Sequence, residues 1–251
     1  MSDTNSLERM LSILSVFSDD KYEWTPDELI DFLGYTRPTL YRYLKILTDA
    51  GLVTSLPPGR YLLGPRVVEL HHLVRMSDPL ILAGTTVASE LAAQFKGTAM
   101  LIRWYRNRMV CIHHETTPQA PIVRYMRGQP MGMSHGATAR AIIAALPRRK
   151  ALPLVESLLN DFRASGFGET TEAVLTNLRK IKRQGFAHSR GEVMAGVNGT
   201  SAPIIDGSRM PIGALCLTQH DTAHNASGAQ TVAQAVVQGA ATISDKLANP
   251  A

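Results

Sequence analysis

Between Thr36 and Leu52 the chain reads TRPTLYRYLKILTDAGL, and its apolar and polar positions separate at 3.6 residues per turn. Leu40, Leu44 and Leu47 stack on one side with Tyr43 beside them, while Pro38, Arg42 and Lys45 project from the other. Thr36 is placed to cap the helix, Pro38 falls in the first turn where a missing amide proton costs nothing, and Gly51 can adopt the left-handed conformation that ends it. By itself the stretch is an ordinary amphipathic surface helix. Its neighbours change that reading.

Upstream, Ser6 to Phe17 places Leu7, Met10, Leu11, Leu14 and Phe17 at helical spacing, and Thr25 to Gly34 reads as a capped short helix with Leu29, Ile30 and Leu33 inward. Two helices, a tight turn at Gly34-Tyr35 and a third helix give the helix-turn-helix order, in which the last helix enters the major groove. Downstream, Leu52 to Leu56 and Arg60 to Gly64 read as short strands about the Pro57-Pro58-Gly59 turn. A hairpin directly after the third helix is a wing, with Arg60 near its tip to reach phosphate. Residues 1–64 are therefore expected to form a winged helix-turn-helix DNA-binding domain. Its candidate contacts are Arg42 and Lys45, which face outward, then Arg37, Thr39 and Tyr41 near the helix start, and Arg60 on the wing.

Charge supports this by distribution and not by total. The net charge of +5 is uninformative, because residues 1–66 hold seven basic and nine acidic side chains. Residues 36–66, however, carry five of those basic side chains and only Asp49, whereas residues 1–35 carry eight acids and two bases. That asymmetry puts positive potential on the third helix and wing, with negative charge behind.

Residues 65–77 carry Val67, Leu70 and Val74 at helical intervals, an apolar stripe that needs a partner such as a second copy of the chain. From Asp78 onward helix and strand alternate. Leu80 to Phe95 reads as a helix stopped by Gly97, Thr98 to Trp104 and Met109 to Glu115 as a hairpin across residues 105–108, and Pro121 to Met126 as a third strand. Helices follow at Ala137 to Ala145, Pro153 to Arg163 and Thr171 to Gln184. Strands follow near Ala187 to Arg190, Gly199 to Ile205 and Ile212 to Thr218, with a closing helix from Ser227 to Ala248. This order predicts an α+β domain around a curved antiparallel sheet.

Composition narrows the function classes. With 251 residues, 45% of them apolar, the chain can bury one large core or two modest ones. No apolar run approaches bilayer length and the first residues lack a signal peptide's character, so a cytoplasmic protein with no membrane partner is expected. Two cysteines, Cys111 and Cys216, are too few for a disulfide framework. No P-loop, dinucleotide fingerprint or EF-hand is present, and no cofactor is expected. Ser134-His135 sets a hydroxyl beside an imidazole, but sequence neighbours rarely meet the geometry of a nucleophile and its base, so no catalytic residue is expected. Cys111 with His113, and Cys216 with His220, each share a strand face and leave a soft metal as an alternative to plain core packing.

The stretches SLERMLSIL, GYTRPTLYRYLKILTDAGLV and GRYLLGPRVVEL closely resemble the DNA-binding domain of the IclR family of bacterial transcriptional regulators. MGMSHGATARAIIA, KRQGFAHSRGEVMAGVNGTSAPIID and PIGALCLTQH resemble, less strongly, that family's effector-binding domain in order and spacing. The resemblance implies a linker helix over 65–77 and a GAF-like effector-binding domain over 78–251. It also implies a homodimer or dimer of dimers on double-stranded operator DNA, controlled by a small organic acid. Carried over residue by residue, the effector site falls on the amides of Ala137 and Thr138, an apolar wall of Val123, Met131 and Val197, and the polar positions Ser189, Gly199, Cys216 and Thr218. Small residues leading into a helix at Gly136 to Ala139 suit an anion, although such an entry also serves close packing. Ser189 stands where relatives often have an acid and Gly199 where some have cysteine, which favours an aromatic acid over a two- or three-carbon one. A repressor of a catabolic operon is expected, with an activator of the same architecture as the alternative.

Overall fold

The computed structural model describes residues 5–122, 125–221 and 226–249. The chain divides into two compact units, Met1–Ser77 and Asp78–Ala251.

The first unit begins with α1 (Ser6–Ser12), which tightens into a 3-10 turn at Ile13–Val16. That tightening rotates the inward face. Leu7 and Leu11 are left exposed, and Ile13 and Val16 are buried in their place, against the even helical spacing expected of residues 6–17. Helix α2 (Pro26–Leu33) starts with a Thr25/Glu28 capping box and ends at left-handed Gly34. Helix α3 (Arg37–Asp49) buries Leu40, Tyr43, Leu44 and Leu47 and leaves Arg42 and Lys45 exposed, as its pattern dictates. Thr36 precedes α3 without capping it, because its hydroxyl donates to Thr39 Oγ1 at 2.9 Å instead. Strands β1 (Val53–Leu56) and β2 (Arg60–Leu63) pair antiparallel as the wing. Reciprocal backbone bonds between Trp24 and Tyr61, at 3.0 and 2.8 Å, tie the wing to the segment before α2. Helix α4 (Arg66–Ser77) buries no residue, and Leu70 and Val74 of its expected stripe are exposed while Val67 is half-buried.

The second unit is built on a six-stranded sheet. In chain order its elements are α5 (Pro79–Phe95), β3 (Thr98–Tyr105), β4 (Arg108–Thr116), β5 (Pro130–Met131), α6 (Gly136–Ala145), α7 (Arg148–Ser157), α8 (Leu159–Ala164), α9 (Thr171–Gln184), β6 (Ala187–Arg190), β7 (Val197–Ile205), β8 (Pro211–His220) and α10 (Ala226–Ala248). The strand order β5-β4-β3-β8-β7-β6 is antiparallel throughout. Two-residue alternation assigns the faces. Leu101, Leu215 and Leu217 pack with Leu91, Val236 and Ile243 of α5 and α10. Met100, Ile102, Cys111 and Cys216 pack with Ile142, Phe162 and Leu178 from α6, α8 and α9 on the other side.

Three expectations change. No strand covers the described part of Pro121 to Met126; the edge strand is Pro130–Met131, paired to Met109 and Val110 of β4. The helix expected from Pro153 to Arg163 starts earlier, at Arg148, with Pro153 inside it, and breaks at Leu158. Helix α5 is ended by left-handed Lys96, not by Gly97. Gly97 serves a different need, since a Cβ there would sit 2.5 Å from the Thr218 carbonyl oxygen.

Candidate functional site: a cavity at the start of α6 and an exposed recognition helix

Helix α6 begins against the sheet at His135 and Gly136, and the backbone there shapes one end of a cavity. Gly136 has φ +78°, and a side chain on it would meet Val193 Cγ2 at 2.8 Å, so a glycine lets the β6–β7 loop close over this end. The Ala137 amide donates to Ser189 Oγ at 3.2 Å. Strand register then sets Ser189, Gly199 and Thr218 side by side across β6, β7 and β8. Gly199 sits in the middle of that row, where even a Cβ would lie 3.1 Å from Ser189 Oγ. The residues around this row line a cavity of about 610 Å³ when its open mouth is included.

Met131, Ala137, Thr138, Ser189, Val197, Gly199, Cys216 and Thr218 all line the cavity, so positions spread over nearly ninety residues of sequence meet there. Val123 lies outside the described residues. Gly136 also lines the cavity, and sequence reasoning missed Met100, Tyr125, Gly132, His135, Val193 and Met194. Met100 was legible in principle, because its cross-strand partner is Cys216. Val193 and Met194 belong to an irregular loop whose course no periodicity predicts.

Among the described residues the lining contains no lysine or arginine. Two charges close to the α6 start are spent on each other: Arg140, on α6, is 5% exposed and donates two bonds to Glu192 at 2.7 and 2.6 Å. Its guanidinium also lies 4.2 Å from the Phe167 ring centroid. Glu192 accepts the Gly136 amide as well, at 3.4 Å. A carboxylate is therefore present near the α6 terminus although Ser189 replaces the acid of the resembled pattern. It comes from a position three residues later and is matched by Arg140. One arginine inside an otherwise uncharged ten-residue helix was the available signal, because a buried guanidinium needs a partner. Arg127 is half-buried and its Nε is screened from solvent.

Burial pushes the Cys216 thiol up to about 11, offset in part by hydrogen bonds with Thr138 and Ser201. Burial, with Cys216 as the second cause, pushes Cys111 up to about 12. Both thiols are held neutral, the opposite of what a metal thiolate needs. Among the described residues no group of three or more His, Cys, Asp or Glu is arranged to hold a metal. His113 bonds Glu115 at 2.8 Å, and His220 is exposed at the end of β8. Ser134 Oγ and His135 Nδ1 do approach to 2.8 Å, closer than sequence neighbours usually manage. Ser134 is buried and does not line the cavity, so the hydroxyl is not presented to a bound molecule.

In the first unit, Arg42 and Lys45 are exposed on α3, with the Arg42 guanidinium 5.3 Å from the Tyr43 ring centroid. Tyr41 is exposed and Thr39 half-buried. Arg37 and Arg60 differ. Arg37 bonds Asp27 of α2 at 2.5 Å, and Arg60 pairs with Glu23. The acids that the linear sequence puts behind the cationic ridge thus reach round to it at two points.

Two family models match. The IclR helix-turn-helix domain matches residues 6–57, and the bacterial transcriptional regulator IclR C-terminal domain matches residues 74–245. The chain is 26% identical over 227 residues to the "Probable HTH-type transcriptional regulator ArcR" of Halobacterium salinarum, covering 89% of this chain and 86% of that one. It is 26% identical over 218 residues to the HTH-type transcriptional regulator XynR of Escherichia coli, covering 85% of each. Among solved structures, an IclR-type regulator from Silicibacter sp. TM1040 superposes with a TM-score of 0.83 over 98% of each chain at 20% identity. An IclR homologue from Microbacterium hydrocarbonoxydans, crystallised with 4-hydroxybenzoate, gives 0.75 at 17% identity, covering 97% of this chain and 99% of that one. Among the described residues no helix is long and apolar enough to cross a membrane. The regulator models account for both units and for nearly the whole sequence, and the chain belongs to the IclR family of bacterial transcriptional regulators.

Proposed function

We propose that the chain is a ligand-responsive repressor of a catabolic operon whose effector is a small aromatic carboxylic acid seated at the start of α6. The observation that carries this reading is the composition of the cavity. Met100, Met131, Met194, Val193 and Val197 offer an apolar wall, while Ser189, Thr138 and Thr218 cluster where the helix presents its positive end. Ser189 Oγ already accepts the Ala137 amide, so its own proton is free to be donated to a carboxylate. Because Arg140 and Glu192 neutralise each other, the acid would be held by the Ser189 hydroxyl and the helix end, without a full counter-charge among the described lining residues. That arrangement suits a ligand that gains most of its affinity from a ring. The homologue that holds 4-hydroxybenzoate supports the same ligand class.

In this reading Arg42 and Lys45 contact base edges and phosphates, Arg37, Thr39, Tyr41 and Arg60 flank them, and two copies of the chain address two half-sites. The uncovered apolar residues of α4 supply a surface on which the copies can pair. The effector then acts by binding one arrangement of the paired heads better than the other.

The ligand class is tested by thermal unfolding of the full chain with benzoate, 4-hydroxybenzoate, pyruvate and glyoxylate. The aromatic acids are expected to raise the melting temperature, and Gly199→Val, which fills the cavity row, to abolish that rise. A rise with only the two short acids would overturn the aromatic reading. Expression of a reporter behind the operator, with the gene present and deleted, tests the sign: deletion is expected to raise it.

A further inference from the structure

The positive balance of this DNA-binding chain does not lie in its winged unit. Residues 1–77 hold eight basic and ten acidic side chains, and residues 78–251 hold eighteen and eleven. Two of the winged unit's candidate contacts, Arg37 and Arg60, are moreover paired with acids of that same unit. Sequence-independent attachment to DNA scales with the phosphates a protein neutralises, and this unit is poorly supplied for it.

The excess cations of the second unit are concentrated. Arg148, Arg149 and Lys150 open α7, and Arg179, Lys180, Lys182 and Arg183 follow one another on α9; all seven are exposed. The two helices pack together, so the groups are neighbours in space. Arg148, Arg179 and Lys182 border one shallow concavity, and Arg179, Lys180, Lys182 and Arg183 line the next one. Glu172 enters this field and pairs with Arg179 at 3.0 Å and Arg148 at 3.8 Å. Both arginines remain more than half exposed, and exposed pairs of this sort are weak. The floor between the helices is Leu146, Ala151, Leu175 and Leu178, all nearly inaccessible, and no large apolar side chain stands exposed on either helix. A partner reading it must be polyanionic without needing an apolar anchor. A phosphate backbone, whose charges recur at regular spacing and need no apolar anchor, fits that description.

We propose that the α7/α9 face is a second, sequence-independent binding surface for duplex DNA backbone, separate from the recognition helix. Its contribution is electrostatic, through counterion release, and raises the affinity for any duplex without altering base discrimination.

The test uses full-length protein and a labelled non-operator duplex, with binding followed by fluorescence anisotropy over a range of salt. An Arg42→Ala/Lys45→Ala background removes the recognition helix, so failure of the operator-reading assignment cannot be mistaken for failure of this one. In that background Lys180→Gln/Lys182→Gln/Arg183→Gln is expected to weaken binding at least tenfold at low salt. It is also expected to flatten the slope of log affinity against log salt by about two to three, at roughly 0.9 for each phosphate no longer neutralised. A charge-matched Arg106→Gln/Arg108→Gln/Lys246→Gln variant is expected to lower the slope by less than one. Equal effects of the two triple variants, no effect of the first while its melting temperature stays at the parent value, or tighter binding of polyglutamate than of duplex at equal ionic strength would each overturn the proposal.

Discussion

The winged unit and the α6 cavity solve opposite problems. On α3 the candidate DNA-contacting side chains are outside a core that Leu40, Tyr43, Leu44 and Leu47 complete without them. In the cavity the candidate binding groups are themselves parts of the packing: Ser189 holds the Ala137 amide, Thr138 and Cys216 are buried, and Arg140 with Glu192 fastens the β6–β7 loop to α6. Recognition residues of the first kind can change with little effect on stability, whereas residues of the second kind couple binding to folding. A change at the cavity should therefore register in both, and a change on α3 in DNA affinity alone.

The largest effect is expected at Arg140. Arg140→Met keeps the stem but strands Glu192, whose side chain is only 24% exposed, and should cost about 3 kcal/mol in denaturant unfolding. A loss below about 1 kcal/mol would mean that the pair does not hold the loop. Arg42→Ala should cost about 1–3 kcal/mol of operator affinity and leave the melting temperature within about a degree of wild type. If it unfolded the winged unit, the separation between core and reading surface would collapse. Ser189→Ala removes the acceptor for a buried amide and should cost about 1 kcal/mol of stability together with severalfold in effector affinity. A loss in one without the other would uncouple binding from packing at this position.

The smallest effect is a pH dependence from the two thiols. Both are raised by burial from an ordinary 9.0, to about 12 for Cys111 and about 11 for Cys216. The native state keeps protons that the unfolded chain releases, so their stabilising preference is fully present below pH about 9 and is lost as pH rises toward 11 to 12. The melting temperature of wild type should fall more steeply between pH 9 and about 10.5 than that of Cys111→Ala/Cys216→Ala. Parallel curves would show that burial does not govern these thiols.

Much of the winged unit was legible because its determinants are local. The α3 stripe, the Thr25/Glu28 capping box, Gly34 and the wing all arise from residues within a few positions of one another. The exceptions are long-range or conformational. Glu23 finds Arg60 thirty-seven residues away, and a 3-10 turn shifts burial from Leu11 to Ile13. In the second unit the long strands and α9 were readable by period. The edge strand was misplaced because a two-residue pairing at Pro130–Met131 leaves no periodic trace. The cavity was legible only through family resemblance, since no local signal joins Ser189, Gly199 and Thr218 before the sheet aligns them. Glu192 escaped because it reaches α6 from an irregular loop.

The central claim is that occupancy of the cavity beside α6 alters how the winged unit holds its operator. The most direct test measures the affinity of full-length protein for the fragment upstream of its gene, with and without a saturating aromatic carboxylic acid, in wild type and in Gly199→Val. The account predicts at least a fivefold ligand-dependent weakening in wild type, the lower end of typical coupling between linked sites, and none in the variant. A wild-type affinity that stays the same while the acid demonstrably binds would contradict it.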